Sequence, residues 1–232
     1  MSQIASAPAT TSNPPLPVTA PVLSARLAVG TAVGWTVVAL VTAVVAVVTK
    51  GEMQAYVEGT GDASRGFVIL TVLGGAQIVL MICAWLAGSI WLLGVRGVAR
   101  AVDPRYPYRR SDVWAVLGWV VPIVNLWFPL QVVSDSLSAM RGASPRRLLT
   151  VWWTAWLVAI VLGNASSRMG GDLMTPDQIG SWVLGTCIAA LLLLVALPTW
   201  WAVVARVSRD AHRAVHTPTP SAAQTPPAAS AR

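Results

Sequence analysis

Four long apolar blocks and a shorter fifth, broken by prolines, take up most of this chain, with short polar stretches between them. The four run from about Leu27 to Val48, Phe67 to Leu93, Leu148 to Gly163 and Ile179 to Val204, and the interrupted one from Val113 to Leu130. A bilayer core of roughly 30 Å takes about 20 apolar residues in helical form, because backbone groups left unpaired in hydrocarbon are costly. The pattern predicts an all-α, polytopic helical membrane protein: four transmembrane helices plus a proline-broken segment, re-entrant or interfacial, over 113–140. Residues 1–25 and 214–232, rich in Ala, Pro, Ser and Thr, read as disordered tails around one membrane domain at 26–213. The first block begins late and is too long for a secretion signal, so it reads as a retained anchor.

The interrupted block, VWAVLGWVVPIVNLWFPLQVV, carries Pro122 and Pro129 with Asn125 between them. Each proline lacks an amide proton and clashes with the preceding turn, which strains a continuous helix twice. Pro129 suits a helix start. After it, Leu130, Val133, Leu137 and Met140 recur at helical spacing, with Gln131, Ser134, Asp135 and Ser138 between them. This predicts an amphipathic helix on the membrane interface. A kinked fifth span followed by a loop is the alternative.

Charge distribution bears on that choice. Eleven arginines fall in three clusters, at 96–110, 141–147 and 206–213, accompanied by Asp103, Asp112, Asp135 and Asp210. The stretches 49–66 and 164–178 hold three bases and five acids. The positive-inside rule puts the arginine-rich set in the cytoplasm. All three clusters share one side only if the broken segment enters and returns on that side, which leaves both termini cytoplasmic. A fifth full span would put two of the clusters outside.

Composition adds a bacterial flavour, with 15 Arg against one Lys and many Ala and Val, and an imbalance of 12 Trp against 2 Phe. Trp91, Trp114, Trp152, Trp153, Trp200 and Trp201 fall near predicted inner ends of segments and read as an aromatic interface belt. Gly30 and Gly34, Ala39 and Ala43, Ala84 and Gly88, and Gly185 and Ala189 are small pairs four apart that suit close helix packing inside the bundle.

Candidate chemistry is sparse. His212 and His216 lack a third ligand, Cys83 and Cys187 sit in apolar blocks, and Asp103, Asp112 and Asp135 read as ion-pair partners for neighbouring arginines. Ionisable groups are confined to the ends of the apolar blocks, which counts against proton-coupled carriers and voltage sensors. Asn125 reads as closing the broken turn with its amide, or else as lining a small polar passage.

One stretch is distinctive. Trp119, Pro122, Asn125, Leu126, Trp127 and Pro129 form a WxxPxxNLWxP run, and Trp152 and Trp153 open the next apolar block. On these residues the chain resembles the bacterial membrane proteins of the domain of unknown function 4328 family, over roughly 30–210. The resemblance implies a multi-helix membrane protein and supplies no activity and no catalytic residues.

The reading that follows is a non-enzymatic inner-membrane protein of multi-pass topology, serving as an accessory, scaffold or regulatory component. Arg109, Arg110, Arg146 and Arg147 are the candidate contacts to anionic lipid headgroups or an acidic partner, each worth roughly 1 kcal/mol near such a surface. A protein partner or a homo-oligomer fits this reading, and no cofactor, metal or nucleic acid is called for. The alternatives are a small transporter or channel subunit built around Asn125, and a lipid-modifying enzyme using Asp112 or Asp135.

Overall fold

The computed structural model describes residues 18–121, 123–140, 145–169 and 175–216. Pro122, Arg141 and the greater part of both tails, on which sequence expectations were placed, lie outside the described residues. Among those described there is no strand, and the elements in order are α1 (Val22–Val57), α2 (Ser64–Val102), the single-turn α3 (Trp114–Leu117), a 3-10 turn at Val124–Leu126, α4 (Phe128–Ala139), α5 (Arg146–Met169) and α6 (Pro176–His216). α1, α2, α5 and α6 are long and apolar enough to cross a membrane. Each overruns its apolar block at both ends: hydropathy marks the hydrocarbon layer, whereas the helix continues into polar surroundings until capping or turn residues stop it. Residues 22–25 and 214–216, assigned to the tails by composition, are helical for this reason.

The four helices are packed with small residues inside and large branched ones outside. Ala28, Ala39, Ala43 and Ala46 of α1 are buried, while Val44, Val48, Val72, Ile90 and Leu191 are exposed. That inversion of a soluble bundle is what a lipid surround demands, since only close backbone approach rewards helix association there. The small pairs of the sequence divide accordingly. A Cβ on Gly34 would lie 3.4 Å from Leu80 of α2, and one on Gly185 would collide with the Ser166 hydroxyl of α5, whereas Gly30 faces open space.

α1 packs along both α2 and α6, and α6 packs along α5, but α2 and α5 do not pack along one another. The bundle is therefore a trough with α1 and α6 as its floor. At one end the starts of α1 and α5 meet the ends of α2 and α6: Trp200 donates to the Ala28 carbonyl (3.2 Å) and stacks on Trp152 (4.7 Å between rings), while Trp91 donates to Ser208 (3.1 Å). At the other end Met53, Ala63, Ile179 and Val183 cluster, and Gln54 donates to the Pro176 carbonyl.

The broken segment leaves α2 and rejoins α5 at the same end, so it does not cross the bundle. Its two short helical pieces and irregular backbone bridge α2 and α5, closing the trough there. α4 starts beside Pro129 as expected, but its surroundings differ from the amphipathic surface helix predicted. Val132, Val133, Asp135, Ser136 and Leu137 are all buried, and Ser138 alone between Phe128 and Ala139 is exposed. Gln131 and Asp135, read as a polar outer face, instead receive arginines of the preceding loop. Spacing showed the apolar stripe; it did not show that the polar stripe would be covered.

Candidate functional site

The trough and the segment that closes it bring together most of the residues singled out in the sequence. Within the segment the backbone is irregular between Leu117 and Phe128, which strands carbonyl groups that a continuous helix would have paired. Three of them take indole N–H groups. Trp85 of α2 donates to Val116 (3.0 Å), Trp119 to Ala115 (2.9 Å) and Trp153 of α5 to Leu126 (2.7 Å). In a water-poor setting irregular backbone survives only when such partners are supplied.

Trp119 and Trp153 belong to one cluster. Trp119 contacts Trp152, Trp153, Trp156 and Trp200 at ring separations of 5.8 to 6.4 Å, and Trp153 stacks on Trp156 at 5.0 Å. Trp91, Trp152, Trp153 and Trp200 are buried in the protein. The interface-belt reading is therefore corrected for these four, while Trp201, 63% exposed, keeps an outward position. Indole is used here because it joins a large flat face to one strong donor. The sequence held a signal for this: Trp152, Trp153 and Trp156 share one helix face, and Trp far outnumbers Phe, which has no donor.

Asn125 does not close the broken turn with its side chain. Its backbone N–H does part of that work, donating to Val121 (2.8 Å). The side-chain oxygen is buried without a hydrogen-bond partner among the described residues, and Asn125 borders a pocket of about 470 Å³ at this end of the trough. Trp35, Trp85, Trp119 and Trp156 form its aromatic walls, with Ala28, Ala32 and Ala196 among its lining. Toward the other end the trough widens into a second space bordered by Thr42, Thr71, Gln77, Asn164 and Thr186; Trp35, Met81, Ile160 and Leu193 border both spaces. Leu126 and Trp127 are exposed and Pro129 is buried at the start of α4.

The loop between α2 and α3 is pinned by two ionic groups. Arg96, 1% exposed, donates from Nε to Asp112 (2.7 Å) and from Nη2 to the Arg110 carbonyl (2.6 Å), and Arg100 also pairs with Asp112. Arg96 further lies 4.8 Å from the Tyr108 ring. Burial raises the Tyr108 phenol above its ordinary value, with Arg96 and Arg100 opposing. Asp135, 1% exposed, accepts from the Nε (2.8 Å), Nη2 (2.6 Å) and backbone N–H (3.1 Å) of Arg109. That hydrogen bond holds the Arg109 guanidinium above its usual value. Arg110 donates to Gln131 (3.0 Å) and lies 3.8 Å over the Phe128 ring.

The four arginines proposed as headgroup contacts thus separate. Arg109 and Arg110 tie the loop to α4, whereas Arg146 and Arg147 are exposed at the start of α5 with no ion pair among the described residues. Arg105 and Arg209 are also exposed and, among the described residues, without an ion pair. His212 and His216 meet edge to face at 4.2 Å on the outside of α6, and no group of three His, Cys, Asp or Glu suited to a metal occurs among the described residues.

Residues 55–215 match one family model, described as a domain of unknown function (DUF4328). The match covers the trough from the end of α1 through α6, the broken segment included. No curated protein and no solved structure matches the chain.

Proposed function

The chain belongs to that family, and from its geometry we propose a non-enzymatic accessory or regulatory protein of a bacterial inner membrane, held against anionic lipid by its arginine-rich end. The observation that carries the reading is the set Arg105, Arg146, Arg147 and Arg209, all exposed and, among the described residues, without an ion pair, at the end of the bundle where the broken segment lies. The opposite end presents Glu52, Glu58, Asp62 and Asp177. By the positive-inside rule the arginine end faces the cytoplasm. There each free arginine adds roughly 1 kcal/mol of attraction to an anionic leaflet.

Asp112 and Asp135, which a lipid-modifying reaction would use, are each held by arginine at short distance, and this favours a structural role for both. The transporter reading has in its favour that Asn125 borders a space continuing along the bundle toward the other end, but among the described residues no Asp, Glu, Lys, Arg or His lines either space.

Two measurements test the proposal. A cysteine at exposed Ser138, in a chain lacking Cys83 and Cys187, is expected to resist a membrane-impermeant thiol reagent in intact cells and to react after lysis. Protein purified with its lipid is expected to retain anionic species, and Arg146→Glu with Arg147→Glu should cut that retention several-fold. Retention unchanged by the double reversal would remove the lipid role, and labelling in intact cells would reverse the orientation.

A further inference from the structure

Gln77 leaves an unpaired amide in the middle of the membrane. It lies ten residues past Phe67, about 15 Å along α2 and so near the midplane of a hydrocarbon layer of roughly 30 Å. Thr42, Thr71 and Thr186 spend their hydroxyls, and Asn164 its amide nitrogen, on carbonyls of their own helices. Gln77 makes no hydrogen bond among the described residues. Unlike the Asn125 oxygen, its amide is not enclosed by the protein, and the side chain borders the trough. We propose that the trough is the interface of a two-fold dimer, in which α2 of each copy lies in the trough of the other and the two Gln77 carboxamides hydrogen-bond to one another.

The face around Gln77 is a helix-facing one by this chain's own rule. Where the helices meet lipid they present large branched side chains such as Val44, Val72 and Leu191. Toward the trough α2 presents Gly74, Gln77, Met81, Ala84 and Gly88 instead. Their steps of three and four residues are those of the seam in a left-handed helix pair. A Cβ on Gly74 or Gly88 would meet nothing within 4 Å, so no neighbour inside the chain calls for glycine, which weakens a helix interior. None of the most apolar 18-residue stretch of α2 is buried.

Length and volume agree with a helix as the occupant. The trough follows α2 from Leu70 to Gly88, about 27 Å, which is nearly the whole hydrocarbon layer and more than a lipid chain of one leaflet spans. Its two spaces, about 470 and 950 Å³, hold most of the roughly 2,000 Å³ that a helix 10 Å across fills over that length. A second copy suits the polar group. A carboxamide both donates and accepts, and a two-fold axis along the membrane normal sets both Gln77 side chains at one depth, where each satisfies the other.

The dimer does not depend on the arginine end. Its test uses purified protein in phosphatidylcholine vesicles, with no other protein present. In a chain lacking Cys83 and Cys187, Met81→Cys on the seam is expected to be linked to its counterpart by a short bismaleimide, and Val79→Cys, at a position 60% exposed and away from the trough, is not. Pairing is then read by energy transfer between donor- and acceptor-labelled copies at graded protein-to-lipid ratios. Gln77→Leu should raise the ratio needed for half-pairing about tenfold, and because the side chain holds no bond within the chain this variant is expected to fold. Gly74→Leu, whose side chain enters open space in the single copy, should abolish pairing, and Arg146→Glu with Arg147→Glu should leave it unchanged. Monomers at every ratio overturn the proposal and assign the trough to a different protein's helix or to lipid. So does linking at Val79 as efficient as at Met81, pairing that either Gln77→Leu or Gly74→Leu leaves intact, or pairing that the arginine reversals remove.

Discussion

Trp153→Phe isolates the role assigned to indole in holding the broken segment. The substitution keeps an aromatic ring beside Trp119 and Trp156 but removes the 2.7 Å donor to the Leu126 carbonyl. Among the described residues no backbone amide reaches that carbonyl, so it is left unpaired in a dry setting, at about 1–3 kcal/mol. The smaller ring adds roughly 1 kcal/mol of lost packing. Trp200→Phe is the control: it loses comparable packing, and its indole also donates to a carbonyl, that of Ala28 (3.2 Å). Ala28 lies inside α1, where the helical amide four residues on already satisfies the oxygen, so the lost bond costs only about 0.5–1.5 kcal/mol. The difference of about 0.5–1.5 kcal/mol corresponds to roughly 2- to 13-fold in the opening equilibrium. Hydrogen exchange of peptides spanning 113–127, measured in bilayer discs, reads that opening directly, because amides such as that of Asn125 are protected only while the segment is folded. Exchange in Trp153→Phe should exceed that in Trp200→Phe by this factor, with the rest of α5 little changed. Equal exchange in the two variants would refute the idea that indole donors hold the segment.

Other substitutions probe the remaining contacts. Arg96→Met removes the buried guanidinium and should destabilise the loop at 103–112 by about 1–3 kcal/mol, less than for a fully enclosed pair because Asp112 is 37% exposed and keeps Arg100; faster proteolysis at Arg105 would report it. Gly185→Ala drives a methyl into the Ser166 hydroxyl and should lower stability by about 1–3 kcal/mol, and adding Ser166→Gly should recover much of the loss in a thermal melt. Burial raises the Tyr108 phenol in the folded protein. Its contribution to stability is therefore complete below the ordinary tyrosine value near 10 and is lost as pH rises through the folded value. Tyr108→Phe should remove that alkaline component, as read by melting temperature against pH.

The spans were legible because a bilayer imposes its requirement locally: a run such as Leu27–Val48 has to be apolar whatever it packs against. The break was equally local, written in Pro122 and Pro129. The functions of tryptophan and Asn125 were not, since they depend on which carbonyls are stranded and which helix lies opposite. Trp153 reads the same by hydropathy whether it faces lipid or caps Leu126, 27 residues earlier. α4 failed for a related reason. Its polar stripe suits water, yet Arg109 and Arg110 fold over it, and no periodicity within 128–140 reports a partner at 109. Of the candidate headgroup arginines, Arg146 and Arg147 kept their exposure because α5 starts there with nothing beyond to cover them, while Arg109 and Arg110 gained partners from an element more than 20 residues on.

The placement of the indole donors also constrains how the protein is made. The segment from Val113 to Met140 leaves the ribosome before α5 exists, and at that moment the donor for Leu126 and the rings that contact Trp119 have not been synthesised. Of the contacts described, the segment can at that stage make those to α2, such as the Trp85 donation to the Val116 carbonyl. Docking follows insertion of the α5–α6 hairpin, when Trp152, Trp153, Trp156 and Trp200 arrive together. The most distinctive stretch of the chain is thus the last to reach its native setting, and maturation of the trough is coupled to completion of the final two helices.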